Sequence, residues 1–257
     1  MIFIDSKVIL ISGGAGFLGS HFSKLIIKNN GIPVILDNSK YRIAKLEKTL
    51  QKFNSPYFVE KVDLTDEKKI KKVVSQVVKK FKKIDCIINN VASNQMYNVN
   101  DSKFERFKLA NWNKDLEIGL TANFLVTKLV IPSMIKNKSG NIINISSDLG
   151  LIAPNQILYG KNRKPVTYSV VKHGIIGFSR YLSTYYNKYK IRSNAICPGG
   201  VEDGQNKKFI KKISKLIPNG RMAKINDYDG LLLYLLSDSS SYMNGAVISI
   251  DGGRTAW

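Results

Sequence analysis

The sequence has few of the features that mark small cross-linked proteins or membrane proteins. It contains two cysteines, Cys86 and Cys197, each in an apolar stretch, so neither a disulfide framework nor a cysteine metal site is expected. The longest unbroken apolar run, 231–236, is six residues, whereas a membrane span needs ~18 or more. The first residues lack the basic region and the small-residue cleavage site of a signal peptide. We therefore expect a cytoplasmic protein that makes no membrane contact.

Acidic residues are also scarce. Lys and Arg total 40 and Asp and Glu total 19, which gives a formal charge of +21, yet 44% of the residues are hydrophobic, as in globular proteins. Strong positive charge is one sign of nucleic-acid binding. Here, however, 33 of the basic residues are Lys and 7 are Arg, beside 31 Ile and 23 Asn. The codons for Lys, Ile and Asn are AT-rich, so genome composition explains the excess, and base-reading proteins favour Arg. We expect no nucleic-acid partner.

Strand-like and helical segments alternate along the whole chain. Apolar runs predict strands at residues 7–12, 33–37, 57–62, 84–89, 141–146, 191–197 and 246–251. Helical spacing of apolar residues predicts helices between them, among them 66–81, 112–134 and 168–186. This alternation predicts an α/β fold, a doubly wound, seven-stranded parallel sheet with helices on both faces. No break in composition divides the chain, so residues 1–257 are expected to form one Rossmann domain.

A glycine-rich loop follows the first predicted strand and opens the first helix. Gly14, Gly16 and Gly19 form a G-x-G-x-x-G motif. Gly13, Gly16 and Gly19 form a second series, in which the glycines are three residues apart. Glycines let the backbone turn tightly and approach a ligand, and the helix start offers free N–H groups to a pyrophosphate. The motif in this setting predicts a dinucleotide site. The residues assigned to it are Gly13, Gly16, Phe17, Leu18 and Gly19.

An acidic residue at the end of the second predicted strand bears on the choice of dinucleotide. Asp37 lies 18 residues after Gly19. A carboxylate in this place accepts hydrogen bonds from a ribose diol and repels a 2′-phosphate, which favours NAD over NADP. Lys40 and Arg42 follow closely and would offset that repulsion. NAD is the expected cofactor, and NADP is the less favoured alternative.

The chemical signal is a tyrosine and a lysine four residues apart. Tyr168 and Lys172 share one face of a predicted helix, and Ser147 stands upstream at the end of the fifth predicted strand. A phenol titrates near ~10. A neighbouring ammonium and an oxidised nicotinamide ring would lower the tyrosine pKa and make a usable acid and base.

Together these features resemble the short-chain dehydrogenase/reductase family over nearly the whole chain. Further matching segments are Asp63-Leu64, Asn89-Asn90-Val91-Ala92, Pro198-Gly199 and Asp251-Gly252-Gly253. The resemblance implies that Ser147 polarises the substrate carbonyl, Tyr168 exchanges the proton, and Lys172 holds the nicotinamide ribose. It also implies further cofactor contacts, with Asp63 and Leu64 at the adenine, Asn90 at the adjoining ribose, Val201 at the carboxamide, and Pro198 and Gly199 preceding it.

Three departures from the family pattern affect what it implies. Gly119 stands where the family has a catalytic asparagine, so either Asn123 substitutes for it one turn later or the proton relay ends differently. Ser147 and Tyr168 are 21 residues apart because the loop between them is extended, and we expect this substrate loop, 150–166, to line the substrate site. After Val201 the sequence continues with Glu202-Asp203 rather than the usual threonine. The contact that this segment makes with the cofactor is therefore expected to differ from that of the family.

More loosely, the chain resembles the flagellin modification protein A branch of the family, which is found with bacterial surface-sugar genes. That implies an oxidoreductase acting on a sugar or nucleotide-linked sugar in surface-polysaccharide biosynthesis, and the family implies a homodimer or homotetramer. One alternative is a reductase of 3-oxoacyl thioesters on acyl carrier protein. Another is a non-catalytic dinucleotide-binding regulator, which Gly119 motivates.

A lid at 202–222 is expected to cover the substrate. It carries one apolar and one lysine-rich helical face between Lys207 and Ile217. The lid lysines would suit an anionic substrate, as would Lys161, Arg163 and Lys164 of the substrate loop, but a solvated face in a lysine-rich protein is the favoured explanation of the lid lysines. The histidines, His21 and His173, are expected to be packing residues, and no metal is expected.

Overall fold

A computed structural model describes residues 3–257, in which parallel strands and helices alternate. The strands are β1 Val8–Ser12, β2 Ile32–Asp37, β3 Phe58–Lys61, β4 Cys86–Asn89, β5 Gly140–Ile145, β6 Ile191–Pro198 and β7 Val247–Ile250. The α-helices are α1 Phe17–Lys28, α2 Lys40–Leu50, α3 Glu67–Phe81, α4 Leu109–Leu116, α5 Ala122–Asn137, α6 Val166–Tyr185, α7 Lys207–Ser214 and α8 Asp229–Leu236. The predicted fold class is confirmed, and the predicted boundaries differ from these by a few residues.

The strand order is β3-β2-β1-β4-β5-β6-β7, with every pair parallel. The first strand is central, since Ile9 of β1 pairs with Pro33 of β2 on one side and with Cys86 of β4 on the other. From β1 the chain winds first toward β3 and then in the opposite direction toward β7. The point of reversal leaves a crevice above the carboxyl ends of β1 and β4.

Helices cover both faces of the sheet because successive strand residues point to opposite sides. Leu10 packs in a core cluster with α3 and α5, whereas its neighbours Ile9 and Ile11 pack in a second cluster with α1 and α8. Both faces are apolar, which is why the strands read as continuous hydrophobic runs. Cys86 and Cys197 are buried free thiols.

The long helix predicted at 112–134 differs from the prediction. It begins at Leu109, ends at Asn137, and contains one π-helical turn, Glu117–Thr121, between α4 and α5. This 29-residue stretch is long and apolar enough to cross a membrane by length and composition. It packs against α3, β4 and β5 inside the fold, and core helices of soluble proteins meet the same criterion. It is therefore weak evidence for a membrane span.

Candidate active site

A cleft of about 1130 Å³ opens at the carboxyl ends of the strands, where the strand order reverses. This is the place where doubly wound sheets bind their ligands. All the predicted site residues except Gly19 line it: Gly13, Gly16, Phe17, Leu18, Asp37, Asp63, Leu64, Asn90, Ser147, Tyr168, Lys172, Pro198, Gly199 and Val201. The structure thus brings the predicted residues together at one site, and their individual contacts with a cofactor stay predictions.

The glycine loop is tightly wound between β1 and α1. Gly13 has a φ of +64°, a conformation that favours glycine, and its carbonyl accepts from Gly16 N at 3.0 Å. A Cβ at Gly19 would overlap the Gly13 carbonyl, so Gly19 allows the helix to pack on the loop. Gly16 caps α1 with no side-chain hydrogen bond, which leaves the N–H groups at the helix start to face a ligand. The loop therefore fits a dinucleotide pyrophosphate.

Asp37 ends β2 with a nearly fully buried side chain. One carboxylate oxygen accepts from Ala15 N at 3.2 Å, and the other accepts from Ser39 N at 3.0 Å and from Arg42 Nη2 at 3.1 Å. The carboxylate is thus fixed between the glycine loop and the start of α2. Arg42 was predicted to offset the repulsion between Asp37 and a 2′-phosphate. In the structure it forms this ion pair with Asp37, and its guanidinium is half-exposed.

The loop after β4 is tied to the glycine loop through Asn90. Its side-chain amide donates to Ser12 O and Gly13 O, both at 3.1 Å. Ser12, which the sequence reasoning missed, accepts from the backbone N–H groups of Asn90 and Val91 at 2.9 and 3.1 Å. A serine as the last residue of an otherwise aliphatic strand was the signal available for it.

The predicted serine is held by a buried ion pair that was not foreseen. Ser147 Oγ donates to Asp148 Oδ1 at 2.8 Å and accepts from Leu149 N at 3.1 Å. The other Asp148 oxygen binds Arg254 Nη1 at 2.5 Å, and the two side chains are 4% and 6% exposed. Arg254 comes from the turn after β7 and is 106 residues away in sequence. The pair fixes the position of Ser147 and keeps the carboxylate charge neutralised.

Tyr168 and Lys172 lie on α6 at the inner end of the cleft. Burial raises the pKa of Tyr168, a hydrogen bond with Ser147 partly offsets this, and the Asp148 carboxylate adds to the rise. Lys172 Nζ donates to Ile145 O at 2.9 Å and lies 5.8 Å from the Tyr168 ring centroid. Burial therefore dominates the pKa of Tyr168, and its lowering by Lys172 together with an oxidised nicotinamide stays a prediction.

Burial lowers the pKa of Lys172 to about 8, and the charge of Lys164 acts in the same direction. Lys164 Nζ lies 3.7 Å from the Tyr168 ring centroid and donates to Asn94 Oδ1 at 2.7 Å. Burial also lowers the pKa of Lys164 to about 8, and the Asp148 carboxylate counters part of this. Two lysines therefore lie beside the Tyr168 phenol.

The space normally available to an asparagine at position 119 is filled. A Cβ at Gly119 would lie 2.5 Å from Val171 Cγ1, so Val171 of α6 excludes any larger residue unless it moves. Asn123 Nδ2 donates to Gly119 O at 2.7 Å and to Val91 O at 3.1 Å, and its Oδ1 accepts from Ser12 Oγ at 3.3 Å. Asn123 is fully engaged away from the cleft. Of the two alternatives, the geometry favours a relay that ends differently.

The substrate loop and the lid pack together over the outer half of the cleft. Leu158 and Tyr159 of the loop form one apolar cluster with the lid, in which the Tyr159 and Phe209 rings are 5.9 Å apart. The predicted apolar face of the lid lies in this cluster: Phe209, Ile210, Ile213, Leu216 and Ile217. Two lid lysines, Lys208 and Lys212, line the cleft.

The segment that follows β6 lines the cleft beside the end of β5. A Cβ at Gly199 would lie 2.7 Å from Asp251 Cα, so glycine is needed where this turn meets the turn after β7. Val201 forms a parallel bridge with Ala223, and this bridge joins the two ends of the lid.

Within residues 3–257, no group of three or more His, Cys, Asp or Glu could hold a metal ion. His21 Nε2 contacts Asp229 Oδ1 at 2.5 Å, which joins α1 to α8.

The sequence is similar to known enzymes along almost its whole length. A family model described as enoyl-(acyl carrier protein) reductase matches residues 18–255. The chain is 32% identical over 254 residues to the 3-oxoacyl-acyl-carrier-protein reductase FabG of Thermotoga maritima, covering 97% of this chain and 98% of that protein. It is 33% identical over 260 residues to trans-4-hydroxycyclohexanecarboxylate dehydrogenase of Sinomonas cyclohexanicum (98% and 94%). Post-translational flagellin modification protein A of Campylobacter coli is 27% identical over 255 residues (97% and 98%).

Solved structures share the fold. A short-chain dehydrogenase of Leptospira borgpetersenii with bound NAD+ has a TM-score of 0.87 at 28% identity, covering 98% of this chain and 94% of that one. A gluconate 5-dehydrogenase of Burkholderia cenocepacia in complex with NADP and tartrate has a TM-score of 0.87 at 21% identity (100% and 98%). Since family model, relatives and fold agree, the chain belongs to the short-chain dehydrogenase/reductase family of NAD(P)-dependent oxidoreductases.

Proposed function

We propose that this enzyme uses NAD(H) to move hydride between the nicotinamide and a carbonyl/alcohol pair on a sugar or nucleotide-linked sugar. The observation that carries the proposal is a single cleft with the glycine loop and Asp37 at one end and Ser147, Tyr168 and Lys172 at the other. A nicotinamide dinucleotide bound along this cleft supplies or accepts the hydride.

The protein side chains supply orientation and the proton. Tyr168 Oη donates a proton to the carbonyl oxygen during reduction and accepts one from the alcohol during oxidation. Ser147 donates to Asp148 Oδ1 in this structure, and its hydroxyl would turn to donate to the same substrate oxygen. The Lys172 ammonium, within reach of the Tyr168 ring, holds the ribose hydroxyls and stabilises the phenolate when it forms.

Asp37 supports the choice of NAD. Its buried carboxylate stands at the carboxyl end of β2, where it can accept from the adenosine ribose hydroxyls and repel a 2′-phosphate. The half-exposed Arg42 already pairs with Asp37, so in the native enzyme the charge of Arg42 is largely compensated and is not available to a 2′-phosphate.

The lining of the substrate half supports a polar substrate. Asn94, Lys164, Lys208 and Lys212 face the cleft, and the similarity to flagellin modification protein A points to surface-glycan chemistry. A second candidate is the reduction of 3-oxoacyl thioesters. The similarity to FabG favours it, as do the apolar side chains of Leu158, Phe209 and Met222 in the same half.

A substrate panel separates the two candidates. Purified enzyme with NADH or NAD+ is offered free sugars, nucleotide sugars and 3-oxoacyl thioesters, and nicotinamide absorbance is followed. Turnover restricted to the thioesters would overturn the sugar proposal. Tyr168→Phe should abolish turnover and leave NADH binding intact, because it removes one hydroxyl. NADH binding without any turnover in the native enzyme would favour the non-catalytic regulator.

We also propose that the enzyme is a cytoplasmic homodimer or homotetramer. Helices α4 to α6 expose large apolar side chains, Leu109, Phe124, Tyr181 and Tyr185, and the two tyrosine rings stack at 5.4 Å. Exposed apolar patches mark association surfaces. Sedimentation velocity of the native protein and of a Tyr181→Glu, Tyr185→Glu variant tests this, and a native monomer at micromolar concentration would contradict it. Cell fractionation tests the location.

A further inference from the structure

The catalytic end of the cleft holds the ammonium groups of Lys172 and Lys164, and among residues 3–257 neither pairs with a carboxylate. Lys172 Nζ donates to Ile145 O and is assigned above to the nicotinamide ribose, which leaves Lys164 for the substrate. Lys164 Nζ sits over the Tyr168 ring, and its side chain is largely surrounded by protein, although the cleft leaves the ammonium within reach of a ligand. Its protein hydrogen bond is to the neutral Asn94 Oδ1. In residues 3–257 no carboxylate lies within 4.0 Å of Nζ.

The neighbouring acidic residue does not compensate Lys164. Asp148 lines the same cleft, but its oxygens are engaged by Arg254, Ser147 and Leu149 N. Arg254 is committed to that pair, so it is not free to bind a ligand. Lys164 is half-buried. A partly desolvated ammonium without a partner anion favours a ligand that brings the missing charge.

Hydrogen bonds within the substrate loop fix the position of Lys164. Gln156 and Lys164 exchange two hydrogen bonds, Lys164 N to Gln156 Oε1 at 2.8 Å and Gln156 Nε2 to Lys164 O at 3.2 Å. These bonds close the substrate loop on itself and place Lys164 at its inner end, just before α6. Lys161, at the outer part of the same loop, is exposed and does not line the cleft.

We propose that Lys164 and Asn94 bind a carboxylate of the substrate, and that this carboxylate lies close to the carbon that exchanges hydride. The proposal rests on the proposed oxidoreductase function and names its substrate class as a hydroxy acid and its oxo acid, within sugars a sugar acid. An ammonium has three donor hydrogens, of which one is used on Asn94 Oδ1. The remaining donors, with the Asn94 amide nitrogen, offer a two-point site for a carboxylate.

The distance between this site and the phenol limits the spacing of the two groups in the substrate. Tyr168 must hydrogen bond to the reacting oxygen, and Lys164 lies on the face of the same ring, so the carboxylate and the reacting carbon are separated by roughly two or three bonds. A single lysine matches a single negative charge. The lid residues Lys208 and Lys212 also line the cleft, but they are not required for this contact.

The test compares an acid with its neutral amide. Gluconate has a hydroxyl on every carbon after its carboxylate, so it can present the required spacing, and gluconamide has the same skeleton without the charge. Affinities for both are measured by calorimetry with the cofactor-free enzyme and with the NADH complex. We expect the native enzyme to bind the acid about 10-fold or more tightly than the amide.

Variants assign that preference to one residue. Lys164→Met should remove the preference and leave amide binding unchanged, Lys164→Arg should retain most of it, and the matched control Lys161→Met should behave like the native enzyme. Unchanged circular dichroism and NADH affinity report that each variant is folded. Equal binding of acid and amide by the native enzyme, or a preference that survives in Lys164→Met, would overturn the inference.

Failure of the proposed function gives a different result. Absence of NADH binding and of turnover on every alcohol and carbonyl would overturn the oxidoreductase proposal. The acid-over-amide preference is still measured on the cofactor-free protein in that case. Turnover of neutral sugars with no effect of Lys164→Met would overturn the carboxylate site alone.

Discussion

Removing the guanidinium of Arg254 should destabilise the protein far more than removing an exposed one. Arg254 is the cationic partner of the buried Asp148, and the two side chains are 6% and 4% exposed. In Arg254→Met the Asp148 carboxylate keeps its bonds from Ser147 Oγ and Leu149 N but loses its countercharge. Breaking one side of a buried ion pair costs about 3–5 kcal/mol. We expect the lower part of that range, because the cleft admits water to the site.

The matched control is the exposed pair between Arg221 and Asp227. It is equally short at 2.6 Å, but its side chains are 51% and 32% exposed, so Arg221→Met should cost about 0–1 kcal/mol. Urea denaturation at a fixed protein concentration measures the free energy of unfolding of each variant. Because the double variant Asp148→Asn, Arg254→Met buries no unpaired charge, it should recover most of the loss. Equal losses in the two single variants, or a double variant no more stable than Arg254→Met, would refute this reasoning.

Three further changes test other parts of the site. Asp37→Ser should raise the use of NADP relative to NAD by about 10-fold or more, because it removes a repelling charge and frees Arg42; a measured kcat/KM ratio that does not move would contradict the role of Asp37. The pKa of Lys172 is lowered to about 8, so between about pH 8 and 10.5 this lysine binds more protons in the unfolded chain than in the folded one, and its contribution to stability should rise with pH in that window. Lys172→Met should flatten this rise in urea titrations at several pH values, and an unchanged slope would contradict it. Gly119→Ala should destabilise by about 1–3 kcal/mol through contact with Val171, less the gain in helix propensity, and Val171→Ala in the same chain should relieve that contact; additive thermal effects of the two changes would argue against it.

The elements of the fold could be predicted from sequence because each has a local pattern. Branched apolar runs marked the strands, helical spacing marked α3 and α6, and the glycine loop marked the turn from β1 to α1. The carboxyl ends of parallel strands meet at one edge, so strand-end residues such as Asp37 and Ser147 were expected at a common site. The structure places both in one cleft.

What sequence reasoning missed depends on contacts between distant residues. Asp148 and Arg254 are 106 positions apart, and nothing local to either indicates that they pair. The π-helical turn contains Gly119, and the space beside Gly119 is filled by Val171 of α6, which is a property of two helices rather than of one. The burial that raises the pKa of Tyr168 is likewise a property of the folded chain, and the sequence gives no local sign of it.

The shared apolar cluster of the substrate loop and the lid has a consequence for engineering this enzyme. Leu158 of the loop is buried against Ile213, Ile217 and Met222 of the lid. This lid, grafted into a relative with a shorter loop, would have no surface for its apolar face to cover, and the graft would expose that face to water. To change the substrate specificity of this chain, both segments should therefore be exchanged together. The hydrogen-bonded pair of Gln156 and Lys164 should be kept, because it closes the substrate loop.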